Sequence, residues 1–174
     1  TGTELNEMPA FFILQGAPAS GKSTFIHDND LDAFTVSSDE IRIELNGIGI
    51  DADGNPCIPQ DNQQQVWRIV ESRLRSAVNS RQPVVVLDAM NAVARNYRRF
   101  GDYAAANGYD VYLVDFTDVD ADECKHRNAS REEFRRVPEF VIDNFYSRFN
   151  GYVPDGYVAI SRDEAASIVK SFIE

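Results

Sequence analysis

The chain has little cysteine, histidine or lysine. Two cysteines and two histidines occur in 174 residues. Cys57 and Cys124 are isolated, without the paired spacing of a zinc site and too few for a disulfide framework, so a reduced, cytoplasmic protein is expected. His27 and His126 have no metal-ligand company and read as ordinary helix-surface residues. No apolar run approaches the roughly 18 residues that a membrane span needs, and residues 11–14 are too short for a secretory signal core, so no membrane partner is expected. Basic residues number 17 against 28 acidic ones, a net charge of −11. That excludes a general nucleic-acid coat, which needs a basic face, but leaves room for a local basic pocket. Fourteen of the 17 basic residues are arginine, the side chain suited to bidentate phosphate contact.

What is present is the composition of a globular domain, 43% hydrophobic and long enough to bury a sizeable core. Residues 1–7 precede Met8, which could be a native start, and read as either an added remnant or a disordered leader, so one domain is expected over 8–174. Apolar runs at 10–16, 33–38, 83–89, 110–116 and 156–161 are continuous rather than alternating, the pattern of strands buried on both faces. Helical patterns separate them, at 22–29, 39–46, 61–80, 93–107, 120–129, 138–150 and 162–173. Strands alternating with helices predict an α/β fold, a doubly wound parallel sheet. Residues 47–60 form the one long loop. Its "DADGN" lacks the twelfth-position glutamate of a calcium loop and reads as a polar turn.

The first of those strands runs into "GAPASGKST", a loop of small residues ending in one lysine. Gly16, Ala17, Pro18, Ala19, Ser20, Gly21, Lys22 and Ser23, followed by Thr24, have the spacing of the phosphate-binding loop. Gly16 and Gly21 are expected at backbone angles closed to other residues. The small residues between them let successive N–H groups face a phosphate, and the following helix adds its positive end. Lys22 would reach the β- and γ-phosphates, and the Ser23 hydroxyl would ligate Mg²⁺. ATP and Mg²⁺ are therefore the expected ligands.

Three further groups fall at carboxyl ends of predicted strands, where ligands bind in such folds. In "SSDEIR", Asp39 faces either of two roles: a helix cap, or a base taking the proton of an attacking hydroxyl. Arg42, three residues on and on the same helix face, could hold an anionic acceptor. In "LDAMN", Asp88 could hold Mg²⁺ through water or orient the acceptor, and Asn91 could bind substrate, although capping alone accounts for either. In "KHRNASREEFRR", Arg127 and Arg131 lie one turn apart if the helix continues, so both could reach one triphosphate and stabilise the transferring group. Arg135 and Arg136 read instead as a solvated face paired with Glu132 and Glu133. Arg95, Arg98 and Arg99 form a basic stripe that either touches a nucleic-acid backbone or is simply solvated.

Taken in order, these segments resemble the kinase domain of phage polynucleotide 5′-kinases, from Phe11 to about Tyr152. "GAPASGKST" is similar to that family's phosphate loop, "SSDEIR" to its base-bearing segment, "LDAMNAVARNYRRF" to the stretch after its third strand, and "KHRNASR" with "VPEFVIDNFYSRF" to its lid and following helix. The resemblance implies an essential set of Lys22, Ser23, Asp39, Arg42 and Arg131, with Arg127 supporting the lid. It implies ATP-dependent phosphorylation of a nucleic acid, a 5′-OH end of DNA or RNA. The chain departs from the family at Met90, where threonine is usual, and by an extra residue between Arg131 and Pro138. No segment is similar to the 3′-phosphatase domain of two-activity relatives, so no phosphatase activity is expected. The residues leave three other readings open: a kinase of hydroxymethylated bases in DNA, a small-molecule kinase, and a nucleotide-binding module without transfer. No N-K-x-D segment for reading guanine is present.

Overall fold

The computed structural model describes residues 8–173; the expected leader, 1–7, lies outside the described residues. Five parallel strands form the sheet: β1 (Ala10–Gln15), β2 (Thr35–Ser37), β5 (Val84–Asp88), β6 (Asp110–Asp115) and β7 (Tyr157–Ile160), in the order β2-β5-β1-β6-β7. All five match predicted runs, trimmed by a residue or more at their ends, and the α/β class is as the alternation of runs implies. All six residues of β1 are buried. Its side chains alternate between two cores, which is why the run carries no polar phase. Phe11 and Ile13 join Val36, Val85 and Leu113 on one face, while Phe12 and Leu14 join Val86 and Phe116 on the other.

Helices cover both faces. We number them α1 (Lys22–Asp28), α2 (Ser38–Asn46), α3 (Gln63–Asn79), α4 (Ala94–Ala106), α5 (Ala121–Ala129), α6 (Glu139–Arg148) and α7 (Arg162–Ile173). Helix α3 buries Val66, Val70, Leu74 and Val78, one stripe at i, i+4, i+8 and i+12, against the first core. Each such burial contributes about 1.5–3 kcal/mol. Helices α1 and α7 cover the opposite face through Phe25, Ile26, Ala165 and Val169. A third, smaller cluster packs α5 on α6 through Cys124, Ile142 and Phe145 and reaches Ala17 of the phosphate loop. Among the described residues no helix is long and apolar enough to cross a membrane.

The 47–60 loop is not structureless. It contains a two-stranded antiparallel hairpin, β3 (Gly49–Ile50) with β4 (Pro56–Cys57). Asp51 builds the turn: its carboxylate accepts from the amides of Asp53 and Asn55, both at 2.9 Å, so "DADGN" is a polar turn as read. Two-residue strands, one of them starting at proline, leave no periodic signal. Asn46 of α2 ties the hairpin's exit by donating to the Asp61 carbonyl (3.2 Å) and accepting from Asn62 (2.9 Å).

Candidate active site

The loop 16–21 joins β1 to α1 at the carboxyl edge of the sheet, beside the ends of β5 and β2. Its left-handed residues are Ala19 (φ 68°) and Gly21 (φ 102°). Gly16 is not among them, which corrects the expectation from sequence. It is needed because a Cβ there would run into the Ser20 hydroxyl and lie 2.8 Å from the Phe116 Cβ. The close approach of strand, loop and β6 end excludes every side chain.

Hydrogen bonds stitch the turn after β5 to the end of β1 and the start of this loop, among them one from the Gln15 side chain to Asn91 O (3.1 Å). Gly16 N donates to Met90 O (3.2 Å), and the buried Asn91 donates from its side chain to Leu14 O (2.7 Å). Asn91 does not cap α4, whose N-cap is Val93. It is a strut in the left-handed conformation (φ 52°), with its side chain turned to the strand. Met90, in contrast, stays partly exposed at the edge of the site.

The capping alternative for Asp39 is removed by its neighbour. Ser37 is the N-cap of α2 and accepts from Glu40 N. The Asp39 carboxylate is left to pair with Arg42 Nη1 at 2.7 Å. Arg42 is largely buried and held on several sides. Nη1 also donates to the Ser38 hydroxyl (3.2 Å), Nη2 donates to Gln63 (3.1 Å), and the guanidinium lies 6.0 Å from the Trp67 ring. Its Nε is buried with no partner.

Lys22 donates to the Gly16 carbonyl and weakly to Ala17 O (3.4 Å). Burial lowers its pKa from the ordinary value, while the charges of Asp88 and Asp39 oppose the shift. Burial pushes the Asp88 carboxyl up, with Lys22 and the neighbouring Ser37 hydroxyl opposing. Arg131 is likewise lowered by burial, opposed by Asp39 and Asp88. Lys22, Asp39, Asp88 and Arg131 therefore share one electrostatic site, although they come from α1, α2, the end of β5 and the segment after α5.

Helix α5 stops at Ala129, so Arg127 and Arg131 do not share a helix face. Arg131 sits in a short lid whose base is clasped by Asn128. That side chain donates to Val137 O (2.8 Å) and accepts from Val137 N (3.1 Å). Arg136 Nε closes the loop on Arg131 O (2.8 Å). Arg135 keeps the expected pair with Glu132 (3.7 Å) but is not only solvated, since it also crosses to Glu40 of α2 at 2.8 Å, and the 3₁₀ turn Glu133–Arg135 packs against β4. Arg127 pairs with Glu123 (3.3 Å) and places Nη1 3.8 Å from where a Gly21 Cβ would stand. One residue that the sequence reading missed converges there too. Arg162, at the start of α7, places Nη1 3.5 Å from the same point, pairs with Asp118 and lies over the Phe116 ring at 5.1 Å. No motif announces it, since a lone arginine after the last strand looks like any first-turn residue.

Four buried side-chain polar atoms among the described residues lack partners: Ser20 Oγ, Arg42 Nε, Asn91 Oδ1 and Arg131 Nη1. Three of them belong to the site, and two of those three are obligate donors. An unmet buried donor costs about 1–3 kcal/mol, so the site is short of acceptor atoms in the form that a phosphorylated ligand supplies. Mg²⁺ fits the same chemistry, with the exposed Ser23 hydroxyl and the Asp88 carboxylate as oxygen donors. No cage of three or more His, Cys, Asp or Glu side chains occurs among the described residues.

A family model described as AAA domain matches residues 11–151. No curated protein sequence matches the chain. Solved structures share the fold. One from Chloroflexus aurantiacus j-10-fl, itself only provisionally called a kinase, has a TM-score of 0.63 at 11% identity, covering 97% of this chain and 100% of its own. A gluconokinase from Sinorhizobium meliloti 1021 gives 0.51 at 13%, covering 95% and 92%. The Mycobacterium tuberculosis APS kinase, solved with AMPPNP and APS, gives 0.50 at 16%, covering 94% and 96%.

Proposed function

From a chain that belongs to the AAA domain family and has the P-loop kinase fold, we propose an ATP-dependent kinase whose acceptor is a hydroxyl of a polynucleotide, the 5′-OH end of DNA or RNA. The observation that carries the kinase reading is the pair of unmet donors, Arg42 Nε and Arg131 Nη1, with the unpartnered Ser20 hydroxyl, beside an Asp39 carboxylate that caps no helix. A pure nucleotide binder needs no such base. In the proposed reaction the acceptor oxygen attacks the γ-phosphorus, the bond to the β-phosphate oxygen breaks, and Asp39 takes the hydroxyl proton. Lys22 and Arg131 hold the charge that builds on the transferred group. Arg127 and Arg162 grip the donor nucleotide at the mouth of the loop. Mg²⁺, on Ser23 and through water on Asp88, would neutralise phosphate charge.

Arg42 supports the polynucleotide acceptor. Its Nη1 keeps Asp39 aimed and Nη2 is anchored on Gln63, while its Nε, without a protein partner, is left for an acceptor phosphate. The order of the four segments supports the same acceptor. The test is transfer of labelled γ-phosphate to a panel: 5′-OH single-stranded DNA and RNA, hydroxymethylated duplex, gluconate and APS. Label on the 5′-OH ends is expected. Transfer only to the modified duplex or only to the small molecules would replace the acceptor, and transfer to none would leave a binding module.

A further inference from the structure

The net charge conceals a division. Residues 62–109, carrying α3, β5 and α4, hold seven arginines (68, 73, 75, 81, 95, 98 and 99) against three carboxylates, Glu71, Asp88 and Asp102. That stretch is four charges positive. The rest of the chain holds ten basic residues against twenty-five acidic ones and is fifteen charges negative. Helices α3 and α4 pack side by side through Trp67 on Phe100 (6.2 Å between centroids) and Tyr103 on Asn79 (2.6 Å), which brings Arg75 of α3 and Arg99 of α4 together at Glu71, with Arg68 one groove wall away, while Arg73 turns to Glu44 of α2 and Arg81 to the Asn107 carbonyl.

We propose that this α3–α4 face is a docking surface for the phosphate backbone of the polynucleotide whose end enters the site. The inference rests on the acceptor reading above. A groove of about 780 Å³ runs along α3, lined by Arg68, Ser72, Arg75, Ser76 and Asn79, with Glu71 as its one carboxylate. Guanidinium, hydroxyl and amide donors are the groups that position phosphates without reading sequence. The arginines are also held in place. Arg75 lies over Tyr103 at 4.4 Å and Arg99 over Phe100 at 4.6 Å, with both reaching Glu71 (3.1 and 3.9 Å). Stacking fixes the plane of each guanidinium while about half of each side chain stays exposed. Helix α3 itself reaches the site, because Gln63 at its start holds Arg42 and Trp67 lies beside that guanidinium. From there α3 runs about 25 Å away, a length over which a single strand presents several phosphates. An acidic partner protein would need apolar anchors at such a groove, and charge with hydroxyls and amides lines this one, which favours nucleic acid.

The test compares wild type with Arg68→Gln/Arg75→Gln/Arg99→Gln. None of these side chains is placed in the transfer step, and exposed pairs of this kind contribute at most about 1 kcal/mol each, so the variant folds. Binding of a long, 3′-labelled 5′-OH single strand is read by fluorescence anisotropy across a salt series. Transfer is read on that strand and on a nucleoside 3′-monophosphate. Three lost phosphate contacts at about 0.7 each lower the salt slope by about 2 and weaken binding by at least about tenfold near 0.1 M salt. KM for the long strand rises to match, while kcat and the turnover of the mononucleotide stay as in wild type. Unchanged affinity and slope for the long strand overturn the docking face. An equal loss on both acceptors overturns it as well, by placing the arginines in the site. If wild type phosphorylates neither acceptor, the acceptor reading falls, and the anisotropy arm still judges the face by itself.

Discussion

At the scale of single residues the site turns on two neighbours with separable roles. Ser37 caps α2 and Asp39 does not. Ser37→Ala is therefore expected to lower stability by about 1 kcal/mol, read as a shift in Tm. Asp39→Asn keeps an oxygen for Arg42 and changes stability by no more than about 1 kcal/mol, yet should cost at least about 10²-fold in kcat, because an amide cannot take the proton. Similar kcat values for wild type and Asp39→Asn would return the base to another group. Asp88 permits a pH test. Burial raises its pKa above the ordinary 3.8, so the folded chain keeps a proton that the unfolded chain releases. Stability from this group is complete below 3.8 and is lost as pH rises through the folded value. Asp88→Asn has no such loss, so its Tm relative to wild type should climb as the pH rises above the ordinary 3.8 and level off beyond the folded value. A difference that is flat in pH would mean that the carboxyl is not held up by burial. The sequence named both carboxylates but not their environments, since burial and the choice of cap depend on which neighbours arrive from other segments. Arg162 shows the same limit, for it meets Gly21 only because the fold brings α7 beside α1.

At the scale of elements, the strands and helices were legible because each long periodic or continuous apolar run has a single way to be buried. The lid and hairpin were not, because their geometry is set by contacts between them. The helix carrying Arg127 ends two residues before Arg131, where Asn128 turns from the helix to clasp Val137. The lid's far side is tied to α2 by Arg135 and Glu40, one residue beyond Asp39. A half-exposed pair of this kind is worth about 0.2–1 kcal/mol, which is small for folding but sufficient to change how often Arg131 stands opposite Asp39. Glu40→Gln or Arg135→Gln should leave Tm within a few degrees and lower kcat by up to about fivefold, with KM for ATP little changed. The exchange Glu40→Arg/Arg135→Glu should recover most of the kcat. A double variant that is no better than the singles would show that the two side chains act independently and that the lid is placed by the Asn128 clasp alone.

At the scale of the whole molecule, the total charge could be read from composition, while its partition became meaningful only when α3 and α4 were seen to share a face. An acidic body with one basic side should respond to salt in two opposite ways. Within the body, a surplus of carboxylates repels itself, and this repulsion weakens as the Debye length falls from about 30 Å at 0.01 M salt to about 10 Å at 0.1 M. The individual ion pairs weaken too, but the surface ones are half-exposed and contribute little each, so the net −11 sets the sign. Tm should therefore rise over that range of sodium chloride. Binding of a polynucleotide to the basic side should fall over the same range, because salt competes for its phosphates. Both curves are measured on one preparation, by thermal unfolding and by anisotropy. A Tm that falls with salt would mean that local pairs outweigh the general repulsion. An affinity that does not fall would mean that contact with the strand is confined to its end, at Arg42 and the phosphate loop.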